Sequence, residues 1–163
     1  MTRKDSFSLI FICAFFLVLM ACEQERDPCL QPTTAPLRVV AKRPSTDTTV
    51  VDTLLPHPVW LRVDTGLGIL FPKKTSSFSL LLSPRADSST YAVQPDSAAL
   101  GSLDTITFVY ERKLQFLSNA CGFSYFYTLQ RVRSSNHNID SVKIINREVN
   151  LNASSPEHVQ IYF

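Results

Sequence analysis

Cysteines, histidines and carboxylates are the side chains here able to react or to ligate, and one cysteine sits in a pattern that specifies a reaction. Cys22 closes the tetrapeptide Leu19-Met20-Ala21-Cys22, directly after an apolar run from Phe7 to Met20. Small or aliphatic residues before a cysteine are the pattern of a lipobox, whose cysteine is acylated on sulfur and becomes the N-terminus after cleavage. An ordinary secretory cleavage site wants small residues at both −1 and −3, and Leu19 stands at −3. A diacyl or triacyl group on Cys22 would hold firmly, because each buried methylene contributes roughly 0.8 kcal/mol and more than one chain is present.

The other reactive types are scattered. His57, His137 and His158 are far apart and lack the i, i+4 or Cys-x-x-Cys company of a zinc site, so no metal is expected. Neither a Gly-x-Ser-x-Gly elbow nor a phosphate-binding or dinucleotide glycine loop occurs, and no cofactor is expected. Glu111, Glu148 and Glu157 are the carboxylates a fold would have to gather, with His137 or His158, to build an acid–base site.

Cys13 lies inside the apolar run and leaves with it, so Cys29 and Cys121 remain as a pair. In an oxidising compartment a disulfide is the default for two such thiols. It would close a loop of about ninety residues and stabilise by roughly 4–5 kcal/mol through the unfolded state. The alternative is two free, buried cysteines acting as small apolar residues.

The elements that must position these residues begin with a leader, residues 1–21, whose Arg3 and Lys4 precede an apolar run too short to span a bilayer. Residues 22–36 are polar and proline-containing and read as a lipidated tether. Residues 37–163 read as one domain. Beyond residue 21 the chain carries 14 basic and 13 acidic residues, a formal charge of +1 with no Lys/Arg cluster, which argues against nucleic acid as a partner.

Short β-type runs separated by turn residues fill that domain. Leu37, Val39 and Ala41 share one face of the first, and Thr48 to Leu55 follows. In the next, Val59, Leu61 and Val63 are placed inward and Trp60 outward. Gly66 and Gly68 mark a turn before Ile69 to Phe71; Ser77 to Ser83 turns Phe78, Leu80 and Leu82 inward. Thr90 to Gln94 is placed at a sheet edge because Pro95 follows. Thr105 to Tyr110, with Ile106, Phe108 and Tyr110 on one face, reads as a central strand. Gln115 to Ser118 leads to a turn or bulge at Gly122. Phe123, Tyr125, Tyr127 and Leu129 then form an aromatic stripe; Arg133 to Asn138 connects, hairpin-like, to Ser141–Val149, and His158 to Phe163 closes the chain. The expectation is an all-β, two-sheet antiparallel sandwich, immunoglobulin-like, of seven to ten strands. The closing Val159, Ile161, Phe163 alternation is also that of outer-membrane barrels, but several runs are too short for a barrel and are broken by proline.

The segment Phe116 to Tyr127, with Asn119-Ala120-Cys121-Gly122 at its centre, resembles a family of uncharacterised Bacteroidota lipoproteins, domain of unknown function 6452. His137 to Val142, the ending Ile161-Tyr162-Phe163 and the early Cys29 extend the likeness over most of the chain after Cys22. The resemblance implies a lipoprotein and no activity, and it implies a structural bridge between Cys29 and Cys121. Glu23, Glu25 and Asp27 also resemble the acidic signals that follow the lipidated cysteine of surface-exported lipoproteins in that group.

Eight of the nine aspartates precede Ser or Thr. Thr48, Thr53, Ser97, Thr105 and Ser141 stand in triplets resembling the O-glycosylation signal of exported Bacteroidota proteins, while Asp followed by Ser or Thr is equally turn chemistry. Taken together, the sequence predicts an outer-membrane lipoprotein, on the periplasmic face or the cell surface. It would be a non-catalytic binding or structural module for an envelope protein or polysaccharide, with Trp60 the first candidate contact, set against the alternative that this ring is half-buried in the second face of the sandwich. The competing class is an envelope hydrolase or transferase of unfamiliar type.

Overall fold

The alternation Ile106, Phe108, Tyr110 gives the longest strand its buried face: all three side chains are out of water, Thr105 before them is exposed, and Thr107 and Val109 between them are half-buried. The structure, a computed structural model, describes residues 28–44, 49–98, 101, 103–152 and 157–163. Among them there is no helix and there are eleven strands: β1 (Pro36–Pro44), β2 (Val50–Asp52), β3 (Val59–Arg62), β4 (Gly68–Leu70), β5 (Ser77–Leu81), β6 (Ser88–Gln94), β7 (Asp104–Ser118), β8 (Gly122–Ser134), β9 (Ser141–Ile144), β10 (Glu148–Val149) and β11 (Val159–Tyr162). One sheet runs β10-β8-β7-β6-β3-β4; the other runs β2-β1-β11-β9, with β5 also on β1. The all-β two-sheet sandwich is therefore as expected, with one strand more than the expected range.

β1 organises the smaller sheet. β5 pairs with its first half, Pro36 to Val40, and β2 with its end, Lys42 to Pro44, so the two lie end to end along one side. β11 takes the other side in parallel, Val39 to Lys42 against Val159 to Tyr162, the one exception to antiparallel pairing among the named strands. A parallel neighbour requires a long crossover, and here nearly the whole chain intervenes. Leu37, Val39 and Ala41 all point into the core, as their spacing predicts.

An aromatic layer fills the space between the sheets. Trp60 packs 5.1 Å from Phe78 and 6.1 Å from Tyr91, Tyr91 lies edge-on to Phe108, and Tyr110 edge-on to Tyr127. Three of these rings carry hydroxyls that burial would leave unpaired, and all three are satisfied by the segment that crosses from one sheet to the other after β5. Tyr91 donates to Leu81 O at 2.6 Å and Tyr127 to Leu82 O at 3.3 Å. Tyr110 donates to Ser83 O and shares a hydrogen bond with Ser89 Oγ. Burial pushes all three phenols up, Tyr91 to about 12.

Four local expectations are corrected. Trp60 is fully buried, whereas Leu61 and Val63 are exposed: β3 faces the other way from the placement that favoured its aliphatic residues, because the ring has the volume to meet Phe78 across the layer. β6 is internal, between β3 and β7; Pro95 lies just past its end and removes no ladder donor. Residues 135–140 are not a hairpin connection, since β8 and β9 belong to different sheets. Ser141 to Val149 likewise divides into β9 and β10, one in each sheet.

Trp60→Ala should lower unfolding stability by about 3–5 kcal/mol, the usual cost of emptying an aromatic site. Leu61→Ala, one residue on, should cost under about 1 kcal/mol. Denaturant midpoints of the two variants check the inverted facing directly.

Candidate functional site

β7 and β8 form a ribbon of 15 and 13 residues that outruns the smaller sheet. Its register shifts twice, at Val109/Tyr110 and again by the turn at Phe116/Ser118. Val109 pairs with Arg131 but Tyr110 with Leu129, so Gln130 is an extra residue that bulges β8. Beyond the bulge, even-numbered residues of β7 and odd-numbered residues of β8 share the inner face, in the pairs Tyr110–Leu129, Arg112–Tyr127, Leu114–Tyr125 and Phe116–Phe123. The inner stripe therefore runs straight out of the core towards the turn. Tyr127 is buried, Tyr125 half-buried, and Leu114, Phe116 and Phe123 are 52 %, 50 % and 56 % exposed. The last two rings pack edge-on at 5.3 Å.

Among the described residues, the opposing layer stops where the tyrosines capture residues 81–83, and past that point no strand lies over the ribbon's inner face. A groove of about 430 Å³ lies beneath, lined by Leu81, Leu82, Leu114, Phe123, Tyr125 and Arg62. Its charges are paired: Arg62 holds Asp64, and Arg112 donates to Asp87 at 2.8 Å and to Pro84 O at 3.0 Å. The result is an apolar ledge fixed by backbone pairing and bordered by neutralised guanidinium groups.

The turn at the ribbon's end spans Asn119-Ala120-Cys121 and relies on Gly122 at φ +67°, which an L side chain rarely adopts. Cys121 bonds to Cys29, with Cα atoms 4.9 Å apart. The early chain then follows β8: Ser124 Oγ donates to Pro32 O, Tyr125 N to Thr33 O and Ala35 N to Tyr125 O, with Thr34 bridged parallel to Tyr125. Residues 29–36 are thus pinned to the fold, and the expected fifteen-residue tether is shortened accordingly.

The acid–base candidates are not gathered. Glu111 and Glu148 stand on either side of Thr128 across the larger sheet, while Glu157 pairs with Lys42 on the smaller one. His137 lies 3.5 Å from Asp104, seven residues along β7 from Glu111, or roughly 23 Å in an extended strand. His158 is buried beside β1, its Nδ1 accepting from Arg38 N at 2.9 Å. His57 lies by Asp96. Among the described residues no three His, Cys, Asp or Glu side chains converge as a metal site would.

Asp104 has a structural task that the sequence pattern only half revealed. Its carboxylate is fully buried and accepts from Ser135 Oγ and from the backbone N–H groups of His137, Asn138 and Ile139, at 2.7–3.2 Å. Burial alone would raise its pKa, but these donors outweigh it and hold the carboxyl below the usual range. Asp96 likewise accepts from Ala98 N, a two-residue turn. Ser97, Thr105 and Ser141 are exposed; the Thr53 hydroxyl is buried, with no room for a glycan in the folded domain. Thr48, like Cys22 and the leader, lies outside the described residues.

Missed from the sequence was the exposure of Phe116 and Phe123. The available signal was position: both sit within five residues of the turn centred on Ala120, where a long hairpin leaves its sheet.

Compared with known proteins, residues 37–163 match the model of a family of unknown function (DUF6452). No curated protein matches, and no solved structure matches.

Two measurements follow. Burial, with the Arg38 charge adding to it, pushes the His158 imidazole below the usual histidine range. The unfolded chain then takes up a proton that the folded one refuses: stability is complete above about pH 6.5 and falls as pH drops, by at most about 1.4 kcal/mol per unit for one proton. His158→Asn, which keeps an acceptor for Arg38 N, should flatten the wild-type decline in Tm between pH 7.5 and 5. Separately, Asp104→Ala should cost about 2–4 kcal/mol by stranding buried donors, and chemical denaturation measures it.

Proposed function

We propose, from the premise that this chain belongs to DUF6452, a family of unknown function, that it is a lipid-anchored, non-catalytic module of the cell envelope. Cys22 carries the anchor, the leader 1–21 is removed, and the domain stands on the outer membrane, on its periplasmic face or at the cell surface. The observation that carries this reading is Leu19-Met20-Ala21-Cys22 at the end of the Phe7 to Met20 run. The Cys29–Cys121 bond agrees with it, since such bonds persist in oxidising compartments.

The partner surface best suited to an envelope protein is the β3–β4 hairpin. Leu61, Val63, Leu67 and Leu70 are exposed there, and β4 closes the larger sheet with one side towards solvent. An open edge beside apolar side chains accepts an added strand, with the backbone supplying affinity and the side chains specificity. Confinement to one membrane raises the effective concentration of a neighbour, so a modest contact suffices.

Labelled palmitate should enter the protein, and Cys22→Ala should abolish that incorporation and release the chain from the membrane fraction; identical fractionation of the two overturns the anchor. In intact cells, crosslinking should capture a discrete protein neighbour. Leu70→Lys should lose it while changing stability by under about 0.5 kcal/mol, as surface substitutions do.

A further inference from the structure

The apolar ledge is on the anchor's side of the molecule, and its position relative to Cys22 is set by covalent geometry. Cys29 follows Cys22 by seven positions, so at full extension the lipidated residue stands within about 25 Å of the residue bonded to Cys121. Cys121 belongs to the turn of the β7–β8 ribbon, and residues 33–35 run from that turn towards the body alongside β8. The chain ahead of Cys29 therefore leaves from the ribbon's tip, and a membrane holding Cys22 must face that tip.

We propose that the tip of the ribbon rests in the headgroup and acyl boundary of the bilayer, with Leu114, Phe116 and Phe123 as the side chains that enter it. The inference rests on the anchor reading above. Three large apolar side chains about half in water, on rigid paired strands with no layer over them among the described residues, are unusual on a surface with only water to meet. Leu30, one residue past the disulfide, adds a fourth at 92 % exposure. Aromatic and leucine side chains partition to this interfacial depth, and contact of this kind adds to an acyl anchor. Lys113 lies exposed on the ribbon's outer face, placed to meet anionic headgroups. Seated this way, the long axis of β7 stands away from the membrane and its Asp104 end is outermost.

The test uses the mature, acylated protein in vesicles of phosphatidylethanolamine and phosphatidylglycerol. An introduced cysteine is its sole free thiol, because Cys22 is lipidated, Cys29 and Cys121 are bonded, and Cys13 departs with the leader. An environment-sensitive fluorophore at Phe116→Cys or Phe123→Cys should emit brighter and to the blue, and spin-labelled phospholipid should quench it; the same dye at Asn136→Cys, by the Asp104 end, should do neither. In the unaltered protein, a phospholipid with a photoreactive acyl chain should label the tryptic peptide spanning residues 114–131. If the protein floats with vesicles while the ribbon dyes behave like the Asn136 dye, the inference fails and the anchor stands. A mature mass lacking acyl groups, with protein left in solution, defeats the anchor and the inference with it. A blue shift that appears without vesicles on concentration assigns the ledge to a second copy and overturns the proposal.

Discussion

Burying tyrosines in place of phenylalanines constrains this sandwich more than any other feature. Tyr91, Tyr110 and Tyr127 supply much of the apolar layer of the larger sheet, yet each brings a hydroxyl that costs free energy unless paired. The partners are carbonyls of three consecutive residues, Leu81, Leu82 and Ser83. The chain can leave β5 and cross to β6 only where those oxygens meet those rings. That fixes the point at which the two sheets stop facing each other. Everything the ribbon does beyond it, including the exposure of Phe116 and Phe123, is a consequence of where the hydroxyls are satisfied.

The opposite end is closed by charge. Asp104 opens β7 and gathers the backbone N–H groups of residues 137–139, so the passage from the larger sheet to β9 is held by a buried carboxylate with four donors. A buried carboxylate without them would be neutralised or expelled. The same Asp–Thr pair resembles a modification signal when seen as sequence. In the fold its aspartate is occupied, which favours turn chemistry at this site over a recognition role. His158 shows the converse economy: one nitrogen accepts from Arg38 N, and burial keeps the ring neutral.

Much of this was legible in the residues, and the failures have a common cause. Period-two patterns located β1, β5 and the first half of β7 with their correct faces, because each has one face strongly more apolar than the other. β3 failed because its more polar-looking face is the buried one: Trp60 shares that face with Arg62 and Asp64, while Val59, Leu61 and Val63 occupy the other, but the volume of one ring decided the matter. The Gln130 bulge was hidden because a bulge is a relation between strands and one strand's sequence cannot display it. β9 and β10 read as one run because nothing between them marks a change of sheet.

The disulfide joins these levels. Cys29 and Cys121 were pairable on redox grounds alone, but pairing by itself is silent about direction. Only with the turn at the far end of a projecting ribbon does the bond state where the chain before Cys29 emerges. A domain linked by a long flexible tether would present every face to a membrane in turn; under the anchor proposed at Cys22, seven residues from Cys29, this one would not, because that reach is shorter than the ribbon itself, about 50 Å for 15 extended residues. Under that proposal, orientation would follow from chain length and topology before any side chain touched lipid. The apolar ledge stands at the end of the molecule that the proposed anchor would bring nearest a bilayer.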